Sequence, residues 1–206
     1  MSLFLAFLFA AAFLAITPGP GIAYVVARTV AGGRSEGLAS CLGTAVGGML
    51  HVLALSFGLS ALVAQSALAF SVVKYVGAAY LIYMGIRLLL TRQQASTPPK
   101  ASRSGTVSAF RDGIVVEAFN VKTAIFFLAF LPQFVVPSES LVPQLLLLGS
   151  VCVFLNTLVD VVAVFGASRF LKSSAARAAR ERFLTKLSGG TMVGLGMYLA
   201  AAKREA

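Results

Sequence analysis

LFLAFLFAAAFLAITPGPGIAYVVA, residues 3–27, is the stretch that decides the fold of this chain. It carries no charged side chain and is longer than the about 20 residues that an α-helix needs to cross the hydrocarbon layer of a bilayer. A signal peptide has a basic start and an apolar run of only about 7–15 residues. The stretch therefore predicts a transmembrane helix that is retained in the working protein.

Five further apolar runs follow, so the sequence predicts an all-α membrane protein with six transmembrane helices in a single domain, residues 1–206. The composition agrees, because 58% of the residues are hydrophobic and only 12% are charged, whereas soluble domains are about 25% charged. The six predicted spans are residues 3–27, 38–64, 68–90, 113–136, 141–168 and 187–202.

The positive charge of the chain is concentrated in alternate loops. Basic side chains lie between spans one and two, three and four, and five and six, whereas loops 65–67 and 137–140 contain none. Lys and Arg mark the cytoplasmic side of a membrane protein, so both termini are predicted to face outward. The net charge of +10 is thus explained by topology, and nucleic-acid binding is not expected.

The third loop, residues 91–112, contains the turn-rich segment QQASTPPKAS at residues 93–102. It divides the chain into two predicted repeats, residues 3–90 and 113–202, with three spans each. Because three is odd, the repeats enter the membrane from opposite sides. Such inverted repeats are typical of secondary transporters.

Thr17-Pro18-Gly19-Pro20 interrupts the first apolar run. Each proline removes a backbone donor, so the helix is predicted to break here. Irregular backbone at membrane depth is tolerated only where it is buried in protein or lines a wet cavity. These four residues are therefore candidates for substrate binding, with a simple kink as the alternative.

Polar side chains interrupt spans four and five at a similar depth. Asn120 and Lys122 lie in span four, and Asn156 and Asp160 lie on one face of span five. At 1.5 Å per residue, Pro20, Asn120 and Asp160 all fall about 10–12 Å inside the bilayer. These residues are predicted to form one substrate-binding level, and a purely structural Lys122–Asp160 ion pair is the alternative.

Glu117 also lies in an apolar run, close to a predicted boundary. Snorkelling of its side chain to the membrane interface accounts for this position. A gate formed by an ion pair with Arg111 is the functional alternative.

Four segments, in their order and spacing, are similar to the LysE/RhtB family of bacterial amino-acid exporters: TPGP at 17–20, KYVGAAYL at 74–81, AFLPQF at 129–134 and LSGG at 187–190. The similarity extends along nearly the whole chain. It implies a transporter of the homoserine/threonine efflux type in the bacterial inner membrane. Such a protein exports amino acids or close derivatives by means of the proton motive force, commonly as a small homo-oligomer.

The sequence departs from the family's pattern at two positions. Asn120-Val121-Lys122 stands where the family usually has Asn-Pro-Lys, so the proline that would break span four is missing. Gly48 stands at about the position where many members have an acidic residue, which leaves one fewer carboxylate for a cationic side chain. The second difference favours neutral substrates such as homoserine, threonine or leucine.

The predicted function is therefore export of neutral amino acids by proton antiport. Lys122 and the amides that follow Pro20 would meet the substrate carboxylate, and Asp160 would bind the ammonium group and carry the proton. Export of basic amino acids, a channel and a structural membrane subunit are the alternatives. No enzyme activity, metal or cofactor is expected, because His51 is the single histidine and Cys41 and Cys152 lack ligand spacing.

Overall fold

The computed structural model of the protein describes residues 2–65 and 105–170, apart from residues 18 and 137, and scattered positions between 72 and 90 and between 186 and 197. The predicted third and sixth spans and linker residues 91–104 lie largely outside these residues. The elements of the described part are α1 (Ser2–Ile16), α2 (Pro20–Gln65), α3 (Thr106–Ala118), α4 (Val121–Phe130), a 3-10 helix (Leu131–Phe134) and α5 (Leu141–Phe170).

Every regular element in the described residues is a helix, which confirms the all-α part of the predicted fold. Two segments, Pro20–Gly58 and Leu141–Gly166, are long and apolar enough to cross a membrane. The bent pair Thr106–Ala118 and Val121–Phe134 makes a third candidate if it is counted as one span. The six-span arrangement with inverted repeats stays a prediction.

Helix α2 is a hairpin of two limbs, not a straight rod. Gly33 within it is non-helical, with φ 82° and ψ −173°, a conformation that side-chain-bearing residues rarely adopt. In a straight helix Gly21 and Thr44 would lie about 35 Å apart, yet a Cβ atom built on Gly21 would lie 3.9 Å from Thr44 Cγ2. Residues 20–32 and 34–65 therefore run antiparallel, and the turn at Gly33 separates the first two predicted spans.

The predicted break in the first span is present. Helix α1 ends at Ile16 and α2 begins at Pro20. The hydroxyl of Thr17 donates to the carbonyl oxygen of Phe13 over 2.8 Å, and the Thr17 backbone N–H also turns back to the last residues of α1. These bonds satisfy part of the backbone that the helix end leaves without partners.

Two apolar clusters lie on either side of a polar level. Along α5, Cys152 belongs to the larger cluster and Val164 to the smaller one, and Asp160 lies between them. Along the second limb of α2 the order is Val52, the polar Thr44, then Cys41. The larger cluster contains Phe7, Ala11, Leu14, Val52, Leu55, Phe126, Phe127, Phe130, Leu131, Leu145, Leu148, Cys152 and Val153, and the smaller contains Val25, Cys41 and Val164.

A glycine seam, formed by Gly43 and Gly47 of α2 with Gly113 of α3, brings these two helices into backbone contact. A Cβ atom on Gly47 would lie 2.7 Å from the carbonyl oxygen of Ile114, and one on Gly113 would lie 2.8 Å from that of Ser40. Gly43 and Gly47 have the small-xxx-small spacing that permits close helix approach in lipid. Since Glu117 follows Gly113 by four residues, the seam turns Glu117 toward α2 as well.

Replacing Gly33 by Ala should lower the free energy of unfolding by about 1–3 kcal/mol, because the residue would be forced into a backbone region available essentially to glycine. Nothing lies within 4 Å of a Cβ atom built there, so the effect would report backbone strain and not a clash. The measurement is thermal unfolding of the purified protein in detergent. Gly58→Ala is the matched control, since Gly58 is equally open to its surroundings but helical; equal stability of both variants would contradict the hairpin turn.

Candidate functional site

A polar cavity of about 40 Å³ lies between the two apolar clusters. This volume holds roughly three water molecules at about 10–15 Å³ each. Its walls come from both halves of the described chain and combine three charged side chains with hydroxyl, amide and glycine positions. The lining residues are Leu14, Ala15, Thr17, Gly19, Gly21, Ile22, Thr44, Ala45, Gly48, Glu117, Asn120, Lys122, Thr123, Val153, Asn156, Thr157 and Asp160.

Lys122 joins the two interrupted spans. Its ammonium group donates to the carbonyl oxygen of Thr17 over 2.7 Å and to that of Leu14 over 3.3 Å. The Leu14 carbonyl, which also accepts the Thr17 N–H, lies in the last turn of α1, and the Thr17 carbonyl lies just beyond it, where the helix dipole favours a cation. The side chain packs flat on Gly19, where an added Cβ atom would lie 3.2 Å from Lys122 Cδ. A larger residue at position 19 would therefore displace the lysine.

The second break lies between α3 and α4, which are bent by 47°, although the sequence has Val121 in place of a proline. Asn120 explains the break. Its backbone is extended, with φ −75° and ψ 97°, and its side-chain oxygen accepts the N–H of Lys122 over 3.1 Å. An asparagine that caps a helix start in this way supplies the stop that the missing proline would have supplied.

His51 completes the hydrogen bonding at this break. Its Nε2 atom lies 2.8 Å from the carbonyl oxygen of Glu117, in the last turn of α3. Because a carbonyl can only accept, this bond requires the proton on Nε2. His51 thus has a structural partner in the backbone, which the sequence alone did not indicate.

Asp160 projects from α5 into the cavity and is 7% exposed. Thr44 Oγ1 lies 3.2 Å from Asp160 Oδ2 and 3.0 Å from the carbonyl oxygen of Cys41, so its single proton serves one acceptor at a time. Among the described residues, no ion pair within 4.0 Å joins Asp160 to Lys122. A structural Lys122–Asp160 pair is therefore not formed, and the two charges face a shared cavity instead.

Most of the predicted substrate-binding residues line this cavity. Thr17, Gly19, Asn120, Lys122, Asn156 and Asp160 do so. Pro20 is exposed at the start of α2, and Pro18 lies outside the described residues. The structure thus brings residues from the two breaks and from the middle of α5 to one cavity; their role in substrate binding stays a prediction.

Glu117 differs most from the sequence-based interpretation. It is 8% exposed and lines the cavity, so it does not snorkel to an interface. Its Oε2 accepts a hydrogen bond from Asn120 Nδ2 over 2.9 Å, and its Oε1 accepts one from Thr123 Oγ1 over 2.6 Å. The spacing of Glu117, Asn120 and Thr123, three residues apart in each step, is the sequence signal that could have found this cluster.

A second polar cluster lies near the turn at Gly33. Arg28, which the sequence places in a loop, is 7% exposed on the first limb of α2. Its guanidinium group lies 2.6 Å from Asp112 of α3 and 3.8 Å from Glu36 of the second limb, and it donates to the hydroxyl of Tyr24 over 2.9 Å. This cluster links both limbs of α2 to the middle of α3.

Broken helices whose ends meet around charged side chains at one level are the binding-site architecture of membrane transporters. Residues 12–203 match the family model described as LysE type translocator. The chain therefore belongs to the LysE type translocator family.

Relatives cover nearly the full length of the chain. An uncharacterized membrane protein of Vibrio cholerae is 30% identical over 202 residues, which is 97% of each chain. The homoserine/homoserine lactone efflux protein of Salmonella typhimurium is 28% identical over 201 residues, 96% of each chain. The uncharacterized membrane protein YrhP of Bacillus subtilis is 27% identical over 205 residues, 94% of this chain and 96% of that one. No solved structure matches.

Replacing Lys122 by Met should lower the free energy of unfolding by about 1–3 kcal/mol, because the buried carbonyl oxygen of Thr17 loses the Lys122 donor and that of Leu14 keeps only the N–H of Thr17. Thermal unfolding of the purified protein in detergent measures this loss. Arg111→Met is the matched control, since Arg111 is an exposed basic residue on the neighbouring helix α3. If both variants were as stable as the original protein, Lys122 would not hold the break together.

Proposed function

We propose that the protein is a bacterial inner-membrane exporter of neutral amino acids or their close derivatives, of the homoserine, threonine or leucine type, working by proton antiport. Membership of a translocator family supports the transport function. A relative named for homoserine and homoserine lactone efflux supports the substrate class. The observation that carries the proposal is the cavity at which two interrupted spans and α5 present opposite charges within one level.

In the proposed binding mode, the two charged groups of a zwitterionic amino acid contact opposite charges of the cavity. Asp160 and the neighbouring Asn156 would bind the substrate ammonium group, because a carboxylate and an amide oxygen are its natural acceptors. Lys122 would face the substrate carboxylate, with Asn120, Thr17 and Gly19 completing that wall. Two of the three donors of Lys122 are bound to backbone carbonyls, which leaves one for a ligand.

Asp160 is the proposed proton carrier. An ionised carboxylate inside a membrane is costly without a partner. The hydroxyl of Thr44 can donate either to Asp160 or to the carbonyl of Cys41, so it is not a permanent partner of the carboxylate. Substrate ammonium and a proton would therefore neutralise Asp160 in alternation. Exchange of one for the other couples outward movement of substrate to inward movement of a proton.

The topology of the proposal is six spans in two inverted repeats with periplasmic termini, and a homo-oligomer in the bilayer is compatible with it. Its support is the distribution of basic residues between alternate apolar runs. The odd number of predicted spans in each half supports the inverted arrangement.

Asp160→Asn should abolish export driven by a proton gradient while the protein remains inserted. The asparagine amide, unlike a carboxylate, cannot take up and release a proton near neutral pH. Purified protein in liposomes, loaded with labelled homoserine, threonine or leucine and assayed with and without an imposed gradient, measures this. Glu139→Gln, in the exposed loop before α5, is the control and should export normally. Unchanged gradient-driven export by the Asp160 variant would exclude this coupling role. If the original protein showed no saturable counterflow, a channel or a structural subunit would be indicated instead of a transporter.

Export of basic amino acids is the second candidate function. Two carboxylates, Glu117 and Asp160, face the single ammonium of Lys122 in the cavity, an imbalance that favours a ligand with net positive charge. Counterflow with labelled lysine in the same liposomes decides between the two: lysine exchange that exceeds threonine exchange would favour a basic substrate.

A further inference from the structure

The carboxylate of Glu117 lies at the start of both helices that resume after a break. Asn120 and Thr123, which donate to its two oxygens, begin α4. On the other side, a Cβ atom built on Gly21 would lie 2.6 Å from Glu117 Oε2, so the carboxylate rests against the first turn of α2. One buried anion thus touches two helix starts.

Helix starts attract negative charge, because their first N–H groups lack partners and their dipoles point the positive end outward. In transporters with interrupted helices, this end commonly points at an anionic group of the substrate. In this protein, a carboxylate of the chain itself already holds that position. Lys122, the cation on the same wall, is bound to two backbone carbonyls, which limits what it offers to a second anion.

A substrate carboxylate that enters the cavity therefore meets a like charge, whereas a substrate ammonium group meets two carboxylates. Repulsion between like charges about 6 Å apart, at an effective dielectric constant of about 20, lowers affinity by on the order of a hundredfold. The cavity is small, so a bound ligand cannot stay far from Glu117.

We infer that Glu117 sets the charge selectivity of this site. As a resident anion at the two helix starts, it makes the ammonium group the required part of the substrate and the carboxylate a tolerated part. Amino-acid derivatives that keep the ammonium group but lack a free carboxylate, such as amides, esters and lactones, are then bound at least as well as the parent amino acids. This inference rests on the proposed transport function.

The test compares ligands of three charges in the original protein and in Glu117→Gln, which keeps the size of the side chain. Counterflow is run with whichever of homoserine, threonine and leucine is exchanged, and the inhibitors are that amino acid, its amide and its N-acetyl derivative. In the original protein the amide should inhibit at least as well as the amino acid, and the N-acetyl compound should not inhibit. The preference for the amide is the inhibition constant of the amino acid divided by that of the amide. In Glu117→Gln this ratio should fall by about tenfold or more, because the substrate carboxylate no longer meets a like charge.

Two further variants keep the result interpretable. Thr123→Val removes one of the two donors that hold the carboxylate in place, and it should shift the preference in the same direction by a smaller factor, even if Glu117→Gln fails to fold. Glu139→Gln, an exposed carboxylate away from the cavity, should leave the preference unchanged. A merely structural Glu117 would alter the amount of folded protein without altering the ratio of inhibition constants.

The outcomes separate the inference from the function on which it rests. Counterflow in the original protein with an unchanged ratio in the Glu117 and Thr123 variants would overturn the inference and leave the exporter intact. Inhibition of the original protein by the N-acetyl compound but not by the amide would do the same. Absence of both counterflow and ligand-induced thermal stabilisation with all three amino acids would overturn the proposed function itself.

Discussion

The hydrogen bonds from the Lys122 ammonium group to the carbonyl oxygens of Leu14 and Thr17 are the interaction on which the rest of the structure depends. Water cannot bind free carbonyls in the hydrocarbon layer, so a helix can end there only if another part of the protein supplies donors. Lys122 supplies them from the second half of the chain. It thereby allows α1 to stop at the level where the cavity lies, and it fixes the first break against the second.

The second break obeys the same constraint with different groups. Asn120 accepts the N–H of Lys122, and His51 donates to the carbonyl of Glu117. The partners of each break thus include residues from distant segments, and the two breaks cannot be formed independently. The two apolar clusters lie on either side of this level, so its polar side chains must find their partners within it.

Much of this arrangement could be predicted from local sequence. The prolines around Gly19 predict the first break because their effect on the helix is local, and the depth of Pro20, Asn120 and Asp160 is predicted from the helical rise alone. What Lys122 binds could not be predicted, since the choice between Asp160, a substrate and the end of α1 depends on how the helices pack. The absent proline leaves the break in span four undecided at the level of sequence, whereas asparagine as a helix cap produces a break equally well. Glu117 was misinterpreted because its distance from a predicted boundary says nothing about which way its side chain points.

The glycine seam between α2 and α3 has a consequence for motion. Where Gly43 and Gly47 meet α3, backbone packs on backbone, so this part of the contact cannot adjust by a change of side-chain rotamer. Alternating exposure of the cavity to the two sides of the membrane would then depend on other joints, which in the described chain include the breaks between α1 and α2 and between α3 and α4 and the turn at Gly33. The two breaks border the cavity, so we expect a bound ligand to change the angle between the half-helices on either side of each break.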